Sequence, residues 1–508
     1  MGGDETISAQ SGARLVARGA ALAKEEFSKL SWLHVIGFAV CQSWTVLCFS
    51  LPDPVTYADP FLDLRWVSAS ATCVLLVLFC LVHRRMPLRV GRNAPMVAIA
   101  AVASVSSALG PASVLFPDSS ALLLAIAAAG LGAGFAFLPV AWLAVFWAQR
   151  EWAGFIVSMV LTAVFTYPLA NTVLSGSQGT WLIVVACSLL PMASALMLPR
   201  EEAYEKARAR AAVPAQRRGF RELDRADRDV LIRFCLCLFF VVAIIELCRN
   251  VLLGAAQAMF FAGTANLVGI LLRCAFGAWL LVVFAQRSMH AVSVVYRSSF
   301  LLVLAAVLAI PFIIEGNWAV HVVLDMGAFC FEAVMMMVLF EMVSALAIDA
   351  LLLFSLMRAV WAGAVVAGIV ASGLGFGQDD SWTLFGVAAM GVACAFVFVF
   401  VFTDAHCTGV LAKSCRREHA TPFKDQCRLA AAGAGLSERE AEVMAMVAKG
   451  RSSQRVADDL GVSLSTVNSH VYHIYRKMGV HSRQEMIDRI ESYAASATAL
   501  EGLETPRS

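Results

Sequence analysis

Charge is scarce in this sequence. Asp, Glu, Lys and Arg make up 15% of its 508 residues, whereas hydrophobic residues make up 60%. Soluble chains carry about 25% charged and about 45–50% apolar residues. Because one soluble core cannot hide so large an apolar excess, the composition predicts a membrane protein with several spanning helices and the lipid bilayer as its surroundings.

Paired cysteine motifs are absent. The 14 cysteines are scattered without a Cys-x-x-Cys pair or metal-ligand spacing, and most lie inside apolar runs, where cysteine behaves as a small hydrophobic residue. His470 and His473 lie three residues apart, but no third ligand accompanies them. Since phosphate-binding loops, catalytic triads and metal clusters are also missing from the sequence, we expect no enzymatic activity, no catalytic residue, no metal and no cofactor.

Long apolar runs form two series of six. Runs of roughly spanning length lie at 30–51, 65–83, 94–111, 120–147, 153–174 and 179–198, and again at 231–248, 258–284, 291–314, 318–346, 351–376 and 381–403. The run at 30–51 is too long for the apolar stretch of a signal peptide, so we predict a spanning helix there. The sequence therefore predicts an all-α polytopic bundle with an N-terminal segment at 1–29, membrane halves at 30–198 and 231–403, and a charged loop at 199–230.

The basic residues between the runs predict the orientation. If the N-terminus is cytoplasmic, the even-numbered connections are also cytoplasmic and should carry the Lys and Arg residues. The odd connections hold only Arg65 and Arg249. The even connections hold Arg84, Arg85, Arg89, Arg92, Arg150, Arg200, Lys206, Arg208, Arg210, Arg217, Arg218, Arg221, Arg225, Arg228 and Arg287. We therefore expect a multi-pass protein of the bacterial inner membrane with both termini in the cytoplasm.

Six plus six helices around a long basic segment resemble the major facilitator superfamily of transporters. That family carries an Asp-Arg-x-Gly-Arg-type signature between its second and third helices, where this chain has Arg89-Val90-Gly91-Arg92. Leu88 replaces the Asp of the signature, and the same basic residues also fit an ordinary cytoplasmic loop. The resemblance covers roughly 30–403 and implies a transporter-like bundle of twelve helices.

The composition changes abruptly after Phe402. Residues 404–435 are polar, basic and glycine-containing, which is typical of a linker next to a membrane. Three basic residues of this stretch lie either against anionic headgroups or in a solvated tether: Lys413, Arg416 and Arg417.

Four short helices are predicted beyond this linker, at 436–494, and a tail at 495–508. Ser437 and Glu440 have the spacing of a capping box, and so do Ser482 and Glu485. Between them, Ser452 or Ser453 caps a second helix that ends at Gly461, and Ser463 or Ser465 caps a third that ends before Gly479. A three-residue turn between the second and third helices is typical of a helix-turn-helix domain.

The third of these helices has one apolar face. Val467, Val471, Ile474 and Met478 recur at helical spacing and are predicted to face the domain core. The other faces offer polar side chains to base edges and basic ones to phosphates. The predicted DNA-binding residues of the domain are Ser453, Arg455, Ser465, Thr466, Asn468, Ser469, Tyr472, Arg476, Lys477 and Arg483.

This segment closely resembles the LuxR/NarL family of DNA-binding domains. Matching positions include Arg439, Glu440, Gly450, Ala457, Thr466, Val467, His470, Lys477 and Gly479. The resemblance implies double-stranded DNA as a partner, contacts from the third helix, and a homodimer formed through about 483–492. The family often has Lys where this chain has Asn468, which implies a base preference shifted towards adenine.

Ionisable residues inside the predicted spans mark the input site, because burying charge in a membrane is costly. Glu246 and Arg249 have the spacing of a helical pair, and Glu341 and Arg358 have the length to reach the cytoplasmic interface. A further acid, Asp325, lies in the same half of the chain. Arg273 and Glu332 fall nearest the middle of the bilayer and are the predicted ligand residues or a buried pair.

The sequence predicts a membrane-bound DNA-binding transcription regulator that responds to an unknown small-molecule ligand through a transporter-like sensor. No soluble input domain precedes the helix-turn-helix segment in this sequence. The alternative is a secondary transporter that still moves its substrate and carries a fused regulatory DNA-binding domain.

Overall fold

A computed structural model describes residues 24–25, 27–83 except 51–63, 85, 89–112, 116–174, 179–211, 219–253, 264–285, 289–309, 318–373, 380–418 and 423–490. The predicted tail at 495–508 and most of the predicted segment at 1–29 lie outside these ranges. The described residues fold into helices joined by short turns, which confirms the predicted all-α class. The chain forms two compact units, Met1–Ser414 and Cys415–Ser508.

The first series of apolar runs forms six helices. In chain order they are α1 Trp32–Ser50, α2 Leu64–Val82, α3 Ala94–Ala112, α4 Ser120–Gln149, α5 Trp152–Leu174 and α6 Gly179–Met197. A seventh helix, α7 Glu201–Ala211, lies within the segment that was predicted only as a charged loop. Its residues are mostly charged or small, so hydropathy gave no signal for it.

The second series forms six more helices. They are α8 Arg225–Leu253, α9 Thr264–Ala285, α10 Met289–Ala309, α11 Trp318–Leu346, α12 Ala350–Gly373 and α13 Asp380–Phe396. The two series share one core, because α12 packs against α2 and α4 of the first series as well as against α8.

Several of these helices have the length and hydropathy to span a membrane. Within the described residues seven qualify outright, and an eighth is a bent pair, Val184–Met197 with Glu201–Ala209. Four shorter apolar helices lie at Trp32–Cys48, Ala94–Gly110, Trp152–Thr166 and Ser293–Ala305. The structure thus supports a multi-pass membrane unit, while the count of twelve spans stays a prediction.

A joint follows α13. A π-helical turn, Val397–Val401, extends that helix, and Phe402 and Thr403 separate it from α14 Asp404–Glu418. The stretch predicted as a linker is therefore largely helical in its described part, since α14 is followed by α15 Phe423–Gly433.

The second unit has its own small core. After α15 come α16 Glu438–Ala448, α17 Ser453–Leu460, α18 Leu464–Met478 and α19, described at 483–490. Val443, Val456, Val467 and Ile474 are buried together at its centre. The buried Cys427 and Ala430 of α15 belong to the same core, so this helix is part of the domain.

Candidate DNA-binding surface and membrane charge network

Side-chain caps fix the start of each helix in the second unit. The Ser437 hydroxyl accepts a hydrogen bond from the Glu440 amide at 3.3 Å, and Glu440 in return accepts one from the Ser437 amide at 2.8 Å. Ser452 caps α17 by accepting from the Arg455 amide at 3.3 Å. These contacts confirm the predicted first capping box and decide in favour of Ser452 over Ser453 as the second cap.

Ser463 caps α18, which is the predicted recognition helix. Its hydroxyl accepts from the Thr466 amide at 3.1 Å and lies 2.8 Å from the Ser465 hydroxyl and 2.7 Å from the Thr466 hydroxyl. The predicted contact residues Ser465 and Thr466 are therefore exposed but already bonded to the cap. Their hydroxyls have remaining donor or acceptor capacity for a phosphate.

The two faces of α18 separate as predicted. Val467, Ile474 and Met478 are buried, and Val471 is partly buried against the same core. Asn468 and Ser469 are exposed, and Tyr472 is 64% exposed although its ring is large and apolar. The Tyr472 ring stands edge-to-face with the ring of His473, 5.9 Å between centroids, and most of it remains exposed beside Asn468.

The predicted phosphate-binding residues differ in exposure and in the contacts that their side chains already make within the domain. Arg476 is exposed in the last turn of α18, and Arg455 is 69% exposed with an ion pair to Asp459 at 3.3 Å. Arg483 is also exposed, and its guanidinium lies over Gly450 in the turn before α17. The predicted Ser453 lies in the first turn of α17 and is partly buried.

Lys477 has a partner inside the domain. Its ammonium donates to Glu440 Oε2 at 2.7 Å and to the Gly435 carbonyl at 3.3 Å. This hydrogen bond is the first cause of the lowered pKa of Glu440, about 2, and the Ser437 amide adds to it. The sequence interpretation missed this pair, because Lys477 and Glu440 lie 37 residues apart on different helices.

The helix predicted to mediate dimerisation has a polar outer side. In the described part of α19, Met486 and Ile490 are buried in the domain core. Gln484, Asp488 and Arg489 are exposed, and Gln484 donates to Asp488 at 3.1 Å. The homodimer through about 483–492 stays a prediction.

Within the membrane unit, ion pairs connect three helices. Arg273 of α9 pairs with Asp325 of α11, with its Nε at 3.1 Å from Oδ2. Asp325 also lies 3.5 Å from Arg249 of α8, which pairs with Glu246 at 2.6 Å. The predicted Glu246–Arg249 pair is confirmed, whereas the predicted pair of Arg273 with Glu332 is replaced by Arg273 with Asp325.

Glu332 and Arg358 have opposite charges and lie inside the same unit. Among the described residues Glu332 has no hydrogen bond or ion pair, and Arg358 has a buried Nε without a hydrogen-bond partner. Each is the strongest charged influence on the other. Arg358 is partly exposed, and its reach to the cytoplasmic interface stays a prediction.

The second unit matches a known family. Residues 434–490 correspond to the family described as bacterial regulatory proteins, luxR family. The oxygen regulatory protein NreC of Staphylococcus aureus, in strains JH9 and USA300, is 40% identical over 53 residues. Those residues make up 10% of this chain and cover only 24% of the length of these relatives. The C-terminal domain is a luxR-type helix-turn-helix domain, as predicted.

Solved transporter structures align with most of the chain. The E. coli fucose:proton symporter FucP has 12% identity and a TM-score of 0.41, covering 76% of this chain and 97% of its own. FucP in the outward conformation, described as a major facilitator superfamily transporter, has 11% identity and a TM-score of 0.39, covering 75% and 98%. The human organic anion transporter MFSD10 has 12% identity and a TM-score of 0.42, covering 76% and 89%. At these scores the likeness carries no argument, so the interpretation of the membrane unit rests on its own helices and charges.

Proposed function

We propose that this protein is a membrane-embedded transcription regulator of the bacterial inner membrane, with both termini in the cytoplasm. Its luxR-type domain binds double-stranded DNA, and its bundle of twelve spans responds to a small-molecule ligand. The observation that carries the DNA-binding part is the exposed polar face of α18, where Tyr472 is 64% exposed beside Asn468 and Ser469.

In this proposal α18 enters the major groove. The Asn468 amide pairs with the edge of an adenine, and Ser469 and Tyr472 contact neighbouring bases. Arg455, Arg476 and Arg483 meet phosphates and position the domain without specifying sequence. Lys477 contributes mainly through Glu440, because its ammonium is already bonded there.

High affinity for DNA requires that two copies of the protein bind together as a dimer. Residues 462–484 contain three basic residues and no acid, which supports only modest monomer binding. A homodimer through about 483–492 would place two α18 helices on paired half-sites. Tethering both copies to one membrane raises their local concentration and favours that dimer.

The input site lies among the buried charges of the second half. Glu332 and Arg358 offer a carboxylate and a guanidinium without close partners among the described residues, and Arg273 lies in the adjacent network. A ligand that binds one arrangement of the helices more tightly than another shifts the population of the regulator. This assignment keeps the predicted residues Arg273 and Glu332 and adds Arg358.

A secondary transporter with a fused regulatory domain is the second candidate. The many apolar helices around buried charges favour it. Uptake of a candidate ligand into proteoliposomes supports the transporter, whereas saturable binding without uptake supports the sensor.

The DNA-binding surface is tested by Asn468→Ala combined with Tyr472→Ala. We expect the full-length protein in nanodiscs to lose about 30-fold or more in affinity for DNA selected by the unaltered protein, because base contacts contribute about 1–3 kcal/mol each. Footprinting and titration measure this loss, and the membrane-extracted yield checks insertion.

Glu442→Ala is the matched control. Glu442 is exposed on α16, where it pairs with Arg439 at 2.8 Å, so its removal should leave the footprint unchanged. An unaltered footprint with the double variant would contradict the assignment of α18.

A further inference from the structure

The chain leaves the membrane unit through the joint between α13 and α14, residues 397–403, and side chains of other helices bond to its backbone. Arg233 of α8 donates to the carbonyl oxygens of Phe400 at 3.2 Å and Val401 at 3.4 Å. Tyr296 of α10 donates to the carbonyl of Phe402, whose side chain is fully buried. Because backbone carbonyls at the end of a helix lack partners within it, these side chains fix the joint in place.

Two more contacts hold the helix that follows. Lys413 of α14 forms an ion pair with Asp227 in the first turn of α8, and the Ser414 hydroxyl donates to Glu341 of α11. Ser414 is fully buried and Asp227 is 6% exposed. We name Asp227, Glu341, Lys413 and Ser414 the tether clamp. The second compact unit begins at the next residue, Cys415.

Helix α11 connects the tether clamp to the buried charges. Asp325 and Glu332 are seven residues apart and share one face of this helix. Glu341 follows nine residues after Glu332, which places it half a turn round the helix and about 13.5 Å further along the axis at about 1.5 Å per residue. One rigid element thus carries the proposed input site on one face and the contact to Ser414 on the other.

The packing of α11 allows it to shift. Five methionines lie along this helix, at 326, 335, 336, 337 and 342. Unbranched thioether side chains repack with little strain, so neighbouring helices can follow a small rotation or slide of α11. The hydrogen bond resists breaking, because the fully buried Ser414 hydroxyl would lose its Glu341 acceptor.

We infer that α11 is the lever that passes a change at Glu332 to the DNA-binding unit, through the Glu341–Ser414 hydrogen bond. The inference rests on the proposed function, since it supplies the route from the membrane input site to the tether. A shift of α11 moves Ser414, and the chain enters the second unit directly after that residue.

Hydrogen exchange of the full-length protein in nanodiscs tests this lever without ligand or DNA. Ser414→Ala removes the donor of this hydrogen bond and Glu341→Leu removes its acceptor, whereas Gln would still accept from the hydroxyl. We expect the amides of 404–414 to exchange about threefold faster or more in either variant. Ser298→Ala is the control, because that hydroxyl donates to the Val294 carbonyl of its own helix at 2.9 Å.

A double-mutant cycle tests the connection to the input site. Glu332→Gln should change exchange of 404–414 by about threefold in the native background, and by much less in the Ser414→Ala background. An undiminished effect of Glu332→Gln in that background would overturn the lever, and so would unchanged exchange in Ser414→Ala. A failed footprint in the test of α18 would instead overturn the proposed DNA contacts, so the two failures are distinguishable.

Discussion

Glu440 and Lys477 together join three segments of the DNA-binding unit. Its carboxylate closes the capping box at Ser437 and accepts from Lys477 at 2.7 Å, while Lys477 also donates to the Gly435 carbonyl. Glu440 is only 6% exposed, so its charge has little contact with water. Leaving a buried carboxylate without its cation costs free energy. Because separating α16 from α18 would do so, this pair fixes how the two helices pack.

Replacing Glu440 with Gln should make the domain less stable in a pH-dependent way. The pKa of Glu440 in the folded domain is about 2, below its unfolded value, because the Lys477 and Ser437 donors stabilise the charged form. A lowered pKa contributes stability above the unfolded pKa of about 4.3, and this contribution is lost as pH falls towards 2. We expect Glu440→Gln to cost about 1–3 kcal/mol at pH 7 and progressively less below pH 4.

Urea unfolding of residues 415–508, followed by circular dichroism between pH 7 and pH 3, measures this difference. Glu442→Gln removes an exposed pair and should change stability by less than about 0.5 kcal/mol at any of these pH values. A difference between native and Glu440→Gln domains that does not depend on pH would contradict the ion pair.

At the scale of elements, the start of α12 ties three segments together. Asp349 accepts from the Leu351 amide at 3.0 Å, which caps the helix. The same carboxylate pairs with Arg208 of α7 at 2.8 Å and lies 3.4 Å from His83 after α2. A single acid thus joins the charged connecting helix to both halves of the membrane unit.

Two substitutions of Asp349 separate these roles. Asp349→Asn keeps the helix cap, because Asn and Asp cap helices about equally well, but it removes the ion pair with Arg208. Ala loses both, so we expect Asp349→Ala to destabilise the membrane unit by about 1–2 kcal/mol more than Asp349→Asn. Thermal unfolding in detergent, followed by tryptophan fluorescence, ranks the variants.

Glu205→Gln is the control for this ranking. Glu205 pairs with the same Arg208 at 3.2 Å but is 53% exposed, so its loss should have little effect. Equal destabilisation by Asp349→Asn and Asp349→Ala would show that the helix cap makes no contribution to stability.

At the scale of the whole molecule, tryptophan is a spectroscopic probe confined to one of the two units. All 11 tryptophans lie at or before position 382, so tryptophan fluorescence reports on the membrane unit alone. Tyrosine occurs in both units, for example at Tyr204 and Tyr296 in the first and at Tyr472 and Tyr475 in the second. The two compact units have separate hydrophobic cores.

We therefore expect the full-length protein to unfold in two independent transitions. Glu440→Gln should leave the tryptophan transition unchanged, whereas Asp349→Ala should lower its midpoint. In the combined variant the two effects should add within about 0.5 kcal/mol, because the sites share no partner. Calorimetry with parallel fluorescence measures both transitions. A tryptophan midpoint that moves with Glu440→Gln would show that the units unfold together.

The sequence by itself determined the local features of this protein. Caps such as Ser437 and Ser463 act within three residues, and the alternation of buried and exposed positions on α18 follows from helical periodicity. The same holds for the apolar runs, because hydropathy is read within one span. The helix-turn-helix domain and the membrane-helix class were therefore predictable. The polar helices α7 and α15 were not, since short helices of this kind depend on the surfaces they pack against.

Only the tertiary structure decided which charges meet. Arg273 and Asp325 are 52 residues apart, Ser414 and Glu341 73, and Lys413 and Asp227 186. Helical periodicity places a residue on a face, but which helix packs against that face depends on the whole bundle. For this reason the sequence nominated Arg273 and Glu332, whereas the fold paired Arg273 with Asp325 and connected Lys413 and Ser414 to α8 and α11.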